Sequence, residues 1–452
     1  MKSFIKKTSI YIIQSILTPF FIIGWIIILL IKKKRSQPRL VWGPIPIINN
    51  KYFSNALKAD QQYESVTIMD GFFSSINSKE DFDLYYSDFL PVFLSKNQYL
   101  VKICKNTFLP FVIFLYAIYR FDIFHHSFEG GFLRGSILAK VEATLIKLAK
   151  GKIVIMPYGA DFYRYSKLEV ISFRHVLLLN YPQMAFKEKE INKRIELWTK
   201  HADVIMAGYD IDGLARWDIL PFNYITIDTK LWQKKYNYST NDGHNGPVYI
   251  MHTPNHKGVK GSEFIMKAIK ELQHEGLQAE LILIEKIPNT EVRRLMHEKA
   301  DILAEQLIFG YGLSGVEGMV TGIPVLSNLD NEAYTRVFRR YSYLNECPIL
   351  STTPENVKTH LKILITNPQL RKQLGEAGRK YVDKYHSEKT AQYTFGAIYS
   401  KIWHKQEVNL MNLFHPITGE YTNSSPIIQH PLHENHLPQQ YFDNSTTLSK
   451  HR

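Results

Sequence analysis

Between Val248 and Leu326, short apolar runs alternate with segments whose apolar residues recur every three or four positions. This rhythm constrains the fold more than any other feature of the chain. Residues 248–251 and 279–284 read as strands, the second rich enough in Leu and Ile to be buried on both faces. Ser262 can cap a helix whose apolar face is Phe264, Ile265, Ala268, Ile269 and Leu272, and Gly276 ends it. Asn289 or Thr290 opens a second helix through Lys299. Residues 307–309 read as a short strand, 313–320 as a helix and 323–326 as a strand. Such alternation gives a parallel sheet covered on both sides, with ligands at the carboxyl ends of its strands. The first half repeats the rhythm less cleanly, with strands at 123–125, 152–156, 204–207 and 224–227. A chain of 452 residues exceeds the ~250–300 at which one core divides, so two α/β domains are expected.

The amino terminus differs in kind. Residues 1–40 hold eight Lys or Arg and no acid, which accounts for +8 of the net +13. The remainder shows no basic stripe with interleaved stacking aromatics, which argues against a nucleic-acid partner. From Ser9 to Ile31 there is no charge, and residues 10–31 match the ~20 apolar residues that cross a bilayer as a helix. Lys32-Lys33-Lys34-Arg35 follows, rather than the small-residue cleavage site of a signal peptide. An in-plane helix would carry charge along one face, and none is present. The segment therefore reads as a single spanning anchor, with membrane lipid as a partner, and its basic flank favours a body on the cytoplasmic face. A second apolar run, 108–119, is too short to span, contains Pro110 and reads as a helix of the first domain.

The remaining boundaries follow composition. Residues 1–40 are the anchor and basic flank, 41–233 the first domain, 234–246 a polar linker and 247–387 the second domain. A helix carrying Ala391, Phe395, Ile398 and Ile402 closes the fold over 388–408. Residues 409–452, rich in His, Pro, Asn, Ser and Thr, read as a disordered tail. The tail histidines 415, 430, 433, 436 and 451 match no metal spacing. Cys104 and Cys347 cannot build a disulfide framework and read as buried thiols.

Two loops can carry chemistry. His252-Thr-Pro-Asn-His256-Lys257-Gly-Val-Lys260-Gly261-Ser262 leaves a strand and enters a helix, whose unpaired N–H groups and positive dipole end suit a phosphate. Lys257 and Lys260 add point charges, and His252 and His256 can donate; an ordinary solvated basic loop has the same composition. In Phe309-Gly310-Tyr311-Gly312-Leu313-Ser314-Gly315-Val316-Glu317, Gly310 and Gly312 allow close approach of an anion before another helix. Glu317 could accept two ribose hydroxyls, or stand as an exposed helix glutamate. At first-half strand ends, His125 or His126 can hydrogen-bond a sugar hydroxyl, or simply pack. Asp161, in the turn Pro157-Tyr158-Gly159-Ala-Asp161, can face an acceptor or bond its own backbone.

Lys260-Gly261 with its helix, Ala300-Asp301, the 310–317 run, Gly322-Ile-Pro-Val, Asn367-Pro-Gln-Leu-Arg371 and Leu374-Gly-Glu-Ala-Gly378-Arg379 together resemble the carboxy-terminal domain of group 1 (family 4-like) glycosyltransferases. The resemblance spans roughly 249–385, and Trp42 to Tyr52 resembles the first strand of bacterial surface-polysaccharide transferases. It implies the GT-B fold, two Rossmann-like domains facing a cleft. It also implies a metal-independent, retaining transfer from a nucleotide sugar to a glycan or lipid-linked glycan, with no cofactor because the nucleotide sugar is a substrate. On that reading His252, His256, Lys257, Lys260, Gly261, Glu305, Gly310, Tyr311, Gly312, Leu313 and Glu317 bind the donor, and His125, His126, Asp161 and Lys260 serve catalysis. Two departures stand out. Phe309 occupies the position of the family's first glutamate, for which Glu305 could substitute, and Pro254 stands where an arginine is usual. Asp210-Ile-Asp212 has the spacing of a metal-binding pair but reads as a loop. A nucleotide-sugar epimerase of the same fold and a catalytically silent membrane scaffold remain the alternatives.

Overall fold

The computed structural model describes residues 2–72, 78–209, 211–285 and 287–442, without the side chains of 2–7 and of Asp60. The chain divides into two compact units. Unit 1 holds the chain to Lys167, Lys187–Ile219 and Ala391–Leu410; unit 2 holds Leu168–Phe186, Leu220–Thr390 and the described chain from Met411. Asp210 of the Asp-x-Asp spacing lies outside the described residues.

Unit 1 is built on six parallel strands: β1 (Leu40–Trp42), β2 (Ser65–Met69), β3 (Leu84–Tyr85), β4 (Ile123–His126), β5 (Lys152–Ile155) and β6 (Val204–Ile205). Their order is β3-β2-β1-β4-β5-β6, the doubly wound arrangement that reverses between β1 and β4. Central strands in such a sheet are covered on both faces, and Leu40, Val41 and Trp42 are fully buried. Unit 2 has five parallel strands: β7 (Val248–His252), β8 (Ala279–Leu283), β9 (Ile302–Gln306), β10 (Val325–Ser327) and β11 (Leu350–Ser351), ordered β11-β10-β9-β7-β8. Here the order reverses between β7 and β9. Both units are thus Rossmann-like, as the strand–helix rhythm implies.

Several local expectations shift. The strand expected at 307–309 lies at Ile302–Gln306, because Glu305 is buried with a partner and so breaks the apolar run without breaking the strand. Residues 224–227 form no strand; this segment is held by the His386 carbonyl on the Ile227 amide and by His386 Nδ1 against the Ile225 carbonyl, at 2.9 and 2.7 Å. The chain passes between units at Ile219/Leu220, and the polar stretch 234–246 is fastened within unit 2. There Lys235 donates to the Ala300 carbonyl at 2.7 Å, and Arg371 donates to the carbonyls of Ser239 and Asn241. The tail is not disordered as far as Phe442. Phe414, Ile428, Leu432 and Leu437 are buried, and the Asn435 carbonyl accepts the Ser351 amide at 2.8 Å. An edge strand such as β11 exposes unpaired backbone groups, and this segment covers them. Residues 443–452 lie outside the described residues.

The apolar amino terminus forms one helix, Lys2–Ile31, long and apolar enough over Thr8–Ile31 to cross a membrane. It is also packed on unit 1. Phe21 is 3% exposed, its ring centroid 5.0 and 5.7 Å from those of Phe111 and Phe114 on the helix Leu109–Arg120. That helix, the second apolar run, is itself buried at Leu109, Ile113, Phe114, Ala117 and Ile118.

In unit 2 the helices Leu313–Thr321 and Pro368–Tyr385 cross at glycines. A methyl group at Gly375 would collide with the Gly322 carbonyl, and one at Gly378 would meet the Met319 backbone at 3.2 Å. Arg379 donates to the carbonyls of Val320, Trp232 and Thr229, at 2.8–3.1 Å, fixing the end of the first helix. The Leu-Gly-x-x-Gly-Arg run is therefore a packing signature. Gly375→Ala should destabilise by about 1–3 kcal/mol or more, the usual cost of overpacking. Gly396→Ala, in a helix with nothing within 4 Å of the added methyl, should stabilise by up to about 1 kcal/mol through helix propensity. Urea unfolding midpoints of the two variants should move in opposite directions.

Candidate functional site

Open parallel sheets bind ligands beyond the carboxyl ends of their strands, where the strand order reverses. In unit 2 that point lies between β7 and β9. β9 delivers Glu305 there, 1% exposed. A buried carboxylate needs partners for both oxygens, and Glu305 has them. Oε1 accepts Lys260 Nζ at 2.6 Å and Ser314 Oγ at 2.7 Å, and Oε2 accepts Ser327 Oγ at 2.9 Å. Lys260 Nζ also donates to Ser314 Oγ at 2.9 Å. One carboxylate thus gathers the loop after β7, the first turn of the helix Leu313–Thr321 and the end of β10.

That helix starts at Gly312 with no side-chain cap, so its first amides have no side-chain partner. A methyl at Gly312 would stand 3.7 Å from Glu305 Oε1, which places the helix entrance beside the Lys260–Glu305 pair. Gly310, at φ 63°, is spent otherwise: its amide donates to the Asn328 carbonyl at 2.8 Å and its carbonyl accepts Ser327 Oγ. The Tyr311 carbonyl accepts Asn223 Nδ2 at 3.2 Å, and its hydroxyl lies 3.3 Å from His386 Nε2. Leu313 is half-buried. Glu317, buried on the same helix, accepts Asn289 Nδ2 at 3.2 Å; burial pushes its carboxyl up to about 7 against the pull of Asn289 and Lys260.

The loop residues divide. His252 is fully buried, with Nδ1 bonded to the Ala304 carbonyl and Nε2 to Ser262 Oγ, both at 2.7 Å, and burial lowers its pKa to about 4. It is a neutral brace with no nitrogen to spare. The expected cap therefore falls to Gly261, at φ 71°, which turns the chain into the helix Ser262–His274. His256 and Lys257 are exposed; Lys257 pairs with Glu285 at 3.0 Å, and His256 Nδ1 meets the Tyr181 hydroxyl. Tyr181 follows the helix Ile171–Asn180, a piece of unit 2 drawn from the first half of the sequence. The same helix explains Phe309, whose ring stacks on Phe173 at 4.8 Å and 22°. Residue spacing could not reveal Phe173, because its partner is 136 positions away in the sequence.

In unit 1 the candidates are held more tightly than their strand-end positions imply. His125 is stacked on Trp42, ring centroids 3.7 Å apart, with Nδ1 on the Val41 carbonyl and Nε2 on the Tyr399 hydroxyl, at 3.1 and 2.8 Å. Burial depresses its pKa to about 3. Both nitrogens are taken, so His125 is a core histidine. Asp161 accepts the amides of Phe128, Tyr158 and Gly159 at 2.9–3.0 Å, and burial raises its pKa to about 7. It shapes the turn from inside. His126 bonds the Gly43 carbonyl through Nδ1, while its buried Nε2 lacks a partner and faces Gly131 beside Glu142.

Spacing also missed a polar cavity of about 300 Å³ in unit 1, lined by Asp70, Tyr86, Lys105, Glu129, Arg134 and Arg194. Arg134 bridges Asp70, at 2.9 Å, and Glu129, which also accepts the Tyr158 hydroxyl. Asp70 follows β2, so the signal was an acid at a strand's carboxyl end, hidden because the Ser and Thr of β2 mask the strand. Among the described residues no group of three or more His, Cys, Asp or Glu could hold a metal ion.

No family model and no curated protein matches the chain. Solved structures do. A sucrose-phosphate synthase from Thermosynechococcus elongatus aligns over 82% of this chain and 100% of its own, at 11% identity and a TM-score of 0.50. A glycosyltransferase from Rickettsia africae ESF-5 covers the same shares at 11% identity and 0.47. The S. aureus MnaA–UDP co-structure covers 82% and 99%, at 15% identity and 0.44. At these identities the likeness concerns architecture, and with the two strand orders it establishes that the chain has a GT-B-like fold of two Rossmann-like α/β domains.

Proposed function

We propose that this protein transfers a sugar from a nucleotide-sugar donor to a glycan or lipid-linked glycan, without a metal and with retention of configuration, at the cytoplasmic face of a membrane. The observation that carries the reading is the Lys260–Glu305 pair beside the uncapped helix start at Gly312, at the reversal point of the unit 2 sheet. A diphosphate placed there meets helix amides and the ammonium of Lys260, whose charge gains value as the bond to the sugar breaks and negative charge collects on the leaving group. Gly312 and Leu313 form the helix entrance beside the pair, and Gly261 turns the chain from Lys260 into the next helix. Exposed Lys257 and His256 add donors at the rim of this site. Glu317 holds the nucleotide ribose. Unit 1's cavity, with Arg134 and Lys105 among acids and tyrosines, is the acceptor subsite in this reading, and Asn106 links it to the amino-terminal helix. Asp161 supports that subsite through the turn at Tyr158, whose hydroxyl bonds Glu129.

A thermal-shift screen across UDP-, GDP- and other nucleotide sugars, followed by product analysis, tests the assignment. A ligand at a hundred times its dissociation constant adds about 2.7 kcal/mol of stability. Transfer to an acceptor supports it, epimerised donor assigns the other chemistry of this architecture, and no response to any donor leaves a scaffold. Turnover should survive EDTA; loss restored by manganese would overturn metal independence.

The buried pair dictates how Lys260 is tested. Lys260→Met alone strands the Glu305 carboxylate and should destabilise by about 3–5 kcal/mol. In a Glu305→Gln background that demand is gone, and adding Lys260→Met should lower turnover by about 10²–10³, the loss of one stabilising donor. Equal turnover with and without the lysine would remove this loop from the phosphate site. Glu317→Gln should raise the donor KM more than it lowers kcat, since ribose contacts are alike in ground and transition states. Because its carboxyl titrates near 7 and the ionised form is the better acceptor for ribose hydroxyls, donor KM should rise as pH falls through that value. The KM–pH profile of Glu317→Gln should be flat there.

A further inference from the structure

The amino-terminal helix meets the rest of unit 1 at intervals from Gln14 to Lys32. Gln14 is fully buried, its amide nitrogen on the Asn106 carbonyl at 2.9 Å and its oxygen on the Ile137 amide at 3.0 Å. Two turns on, Phe21 packs on Phe111 and Phe114, and Gly24 lets Leu115 approach closely. At the far end Lys32 donates to the Phe121 carbonyl at 2.6 Å, and Arg35 pairs with buried Asp122 at 3.1 Å. Gln14, Phe21, Gly24 and Lys32 follow one another at spacings of seven, three and eight residues, which keeps them on one side of the helix. The opposite surface is bare and apolar: Ile12, Ile16, Phe20, Ile23, Ile27 and Leu30 are 50–81% exposed.

This geometry argues against a simple span, although the helix is long and apolar enough for one. Gln14 and Lys32 are about 27 Å apart along the helix at its usual rise, close to the ~30 Å of the hydrocarbon core. Were the helix to cross the bilayer, Asn106 and Asp122 would have to reach opposite faces, and the apolar helix Leu109–Arg120 would enter hydrocarbon together with the segment Tyr86–Phe89 packed on it, which carries Asp88. We propose instead that the helix lies in the plane of an anionic membrane, its bare face among the acyl chains of one leaflet and its other face on unit 1. The lack of charge along the helix, which argues against an in-plane helix in isolation, has its reason here: the side away from lipid is covered by protein. Charge selects lipid over a second copy of the chain. Basic residues flank the run at both ends and residues 1–40 contain no acid. Two copies joined through this face would oppose like charges in either orientation, whereas anionic headgroups neutralise them. The assignment is independent of the sugar-transfer reading.

The full-length protein carrying Ser3→Cys or Ser36→Cys, with the buried Cys104 and Cys347 as background, is probed on sealed inverted vesicles with a membrane-impermeant maleimide. Both positions should label from the same side; labelling from opposite sides would establish a span and overturn the proposal. Co-sedimentation with vesicles of phosphatidylcholine and phosphatidylglycerol in equal parts should exceed that with phosphatidylcholine alone. Phe20→Glu with Leu30→Glu should reduce it at least tenfold while circular dichroism stays unchanged. Vesicle binding indifferent to these substitutions, or a stable dimer that they dissociate, would also overturn it, the dimer assigning the face to a second copy.

Discussion

A carboxylate shut away from water must have its oxygens occupied, and in unit 2 that requirement falls on Glu305. Its partners come from three different segments: Lys260 from the loop after β7, Ser314 from the start of a helix and Ser327 from β10. Tied to one side chain, they bring an ammonium and an open helix terminus into register at the reversal point of the sheet. Lys260 is therefore held in place by the fold itself, which would meet in advance the positioning cost of the phosphate site proposed above.

One histidine in each unit shows the complementary use of burial. His252 and His125 have both nitrogens occupied and their pKa values pressed far below neutrality, so they hold strand ends as neutral hydrogen-bonding braces. Burial acts in the other direction on Glu317, whose carboxyl rises to about 7 and whose single described protein partner, Asn289, leaves acceptor capacity over. The same desolvation thus produces rigid supports and a responsive group, according to how many partners each residue has.

The amino-terminal helix extends this logic to the surface. A helix apolar all round normally belongs inside a protein or across a bilayer. Here one face is satisfied by aromatic packing and by Gln14, and the other remains apolar and exposed. Its polar contacts with Asn106 and Ile137, and those of Lys32 and Arg35 just beyond it with Asp122, make it part of unit 1, the unit that also holds the polar cavity lined by Asn106.

The sequence by itself determined the class of fold. The alternation of runs such as Tyr249-Ile250-Met251 with three- and four-residue periodicity admits only a covered parallel sheet, because period 2 and period 3.6 patterns cannot be exchanged. It also placed Lys260, Gly312 and Glu317 near one another, since a strand-to-helix loop always emerges at the carboxyl edge. It could not distinguish an available histidine from a braced one: His125 depends on Trp42 and on Tyr399, which lies 274 residues away. It took 409–442 for disorder because a segment that covers an edge strand needs few apolar residues of its own, only Asn435 at the right place. It marked the amino-terminal helix as long and apolar enough to span, but hydropathy counts residues and does not register that Gln14 and Phe21 are covered by another element. Those outcomes depend on contacts between distant segments, and only the tertiary structure decides them.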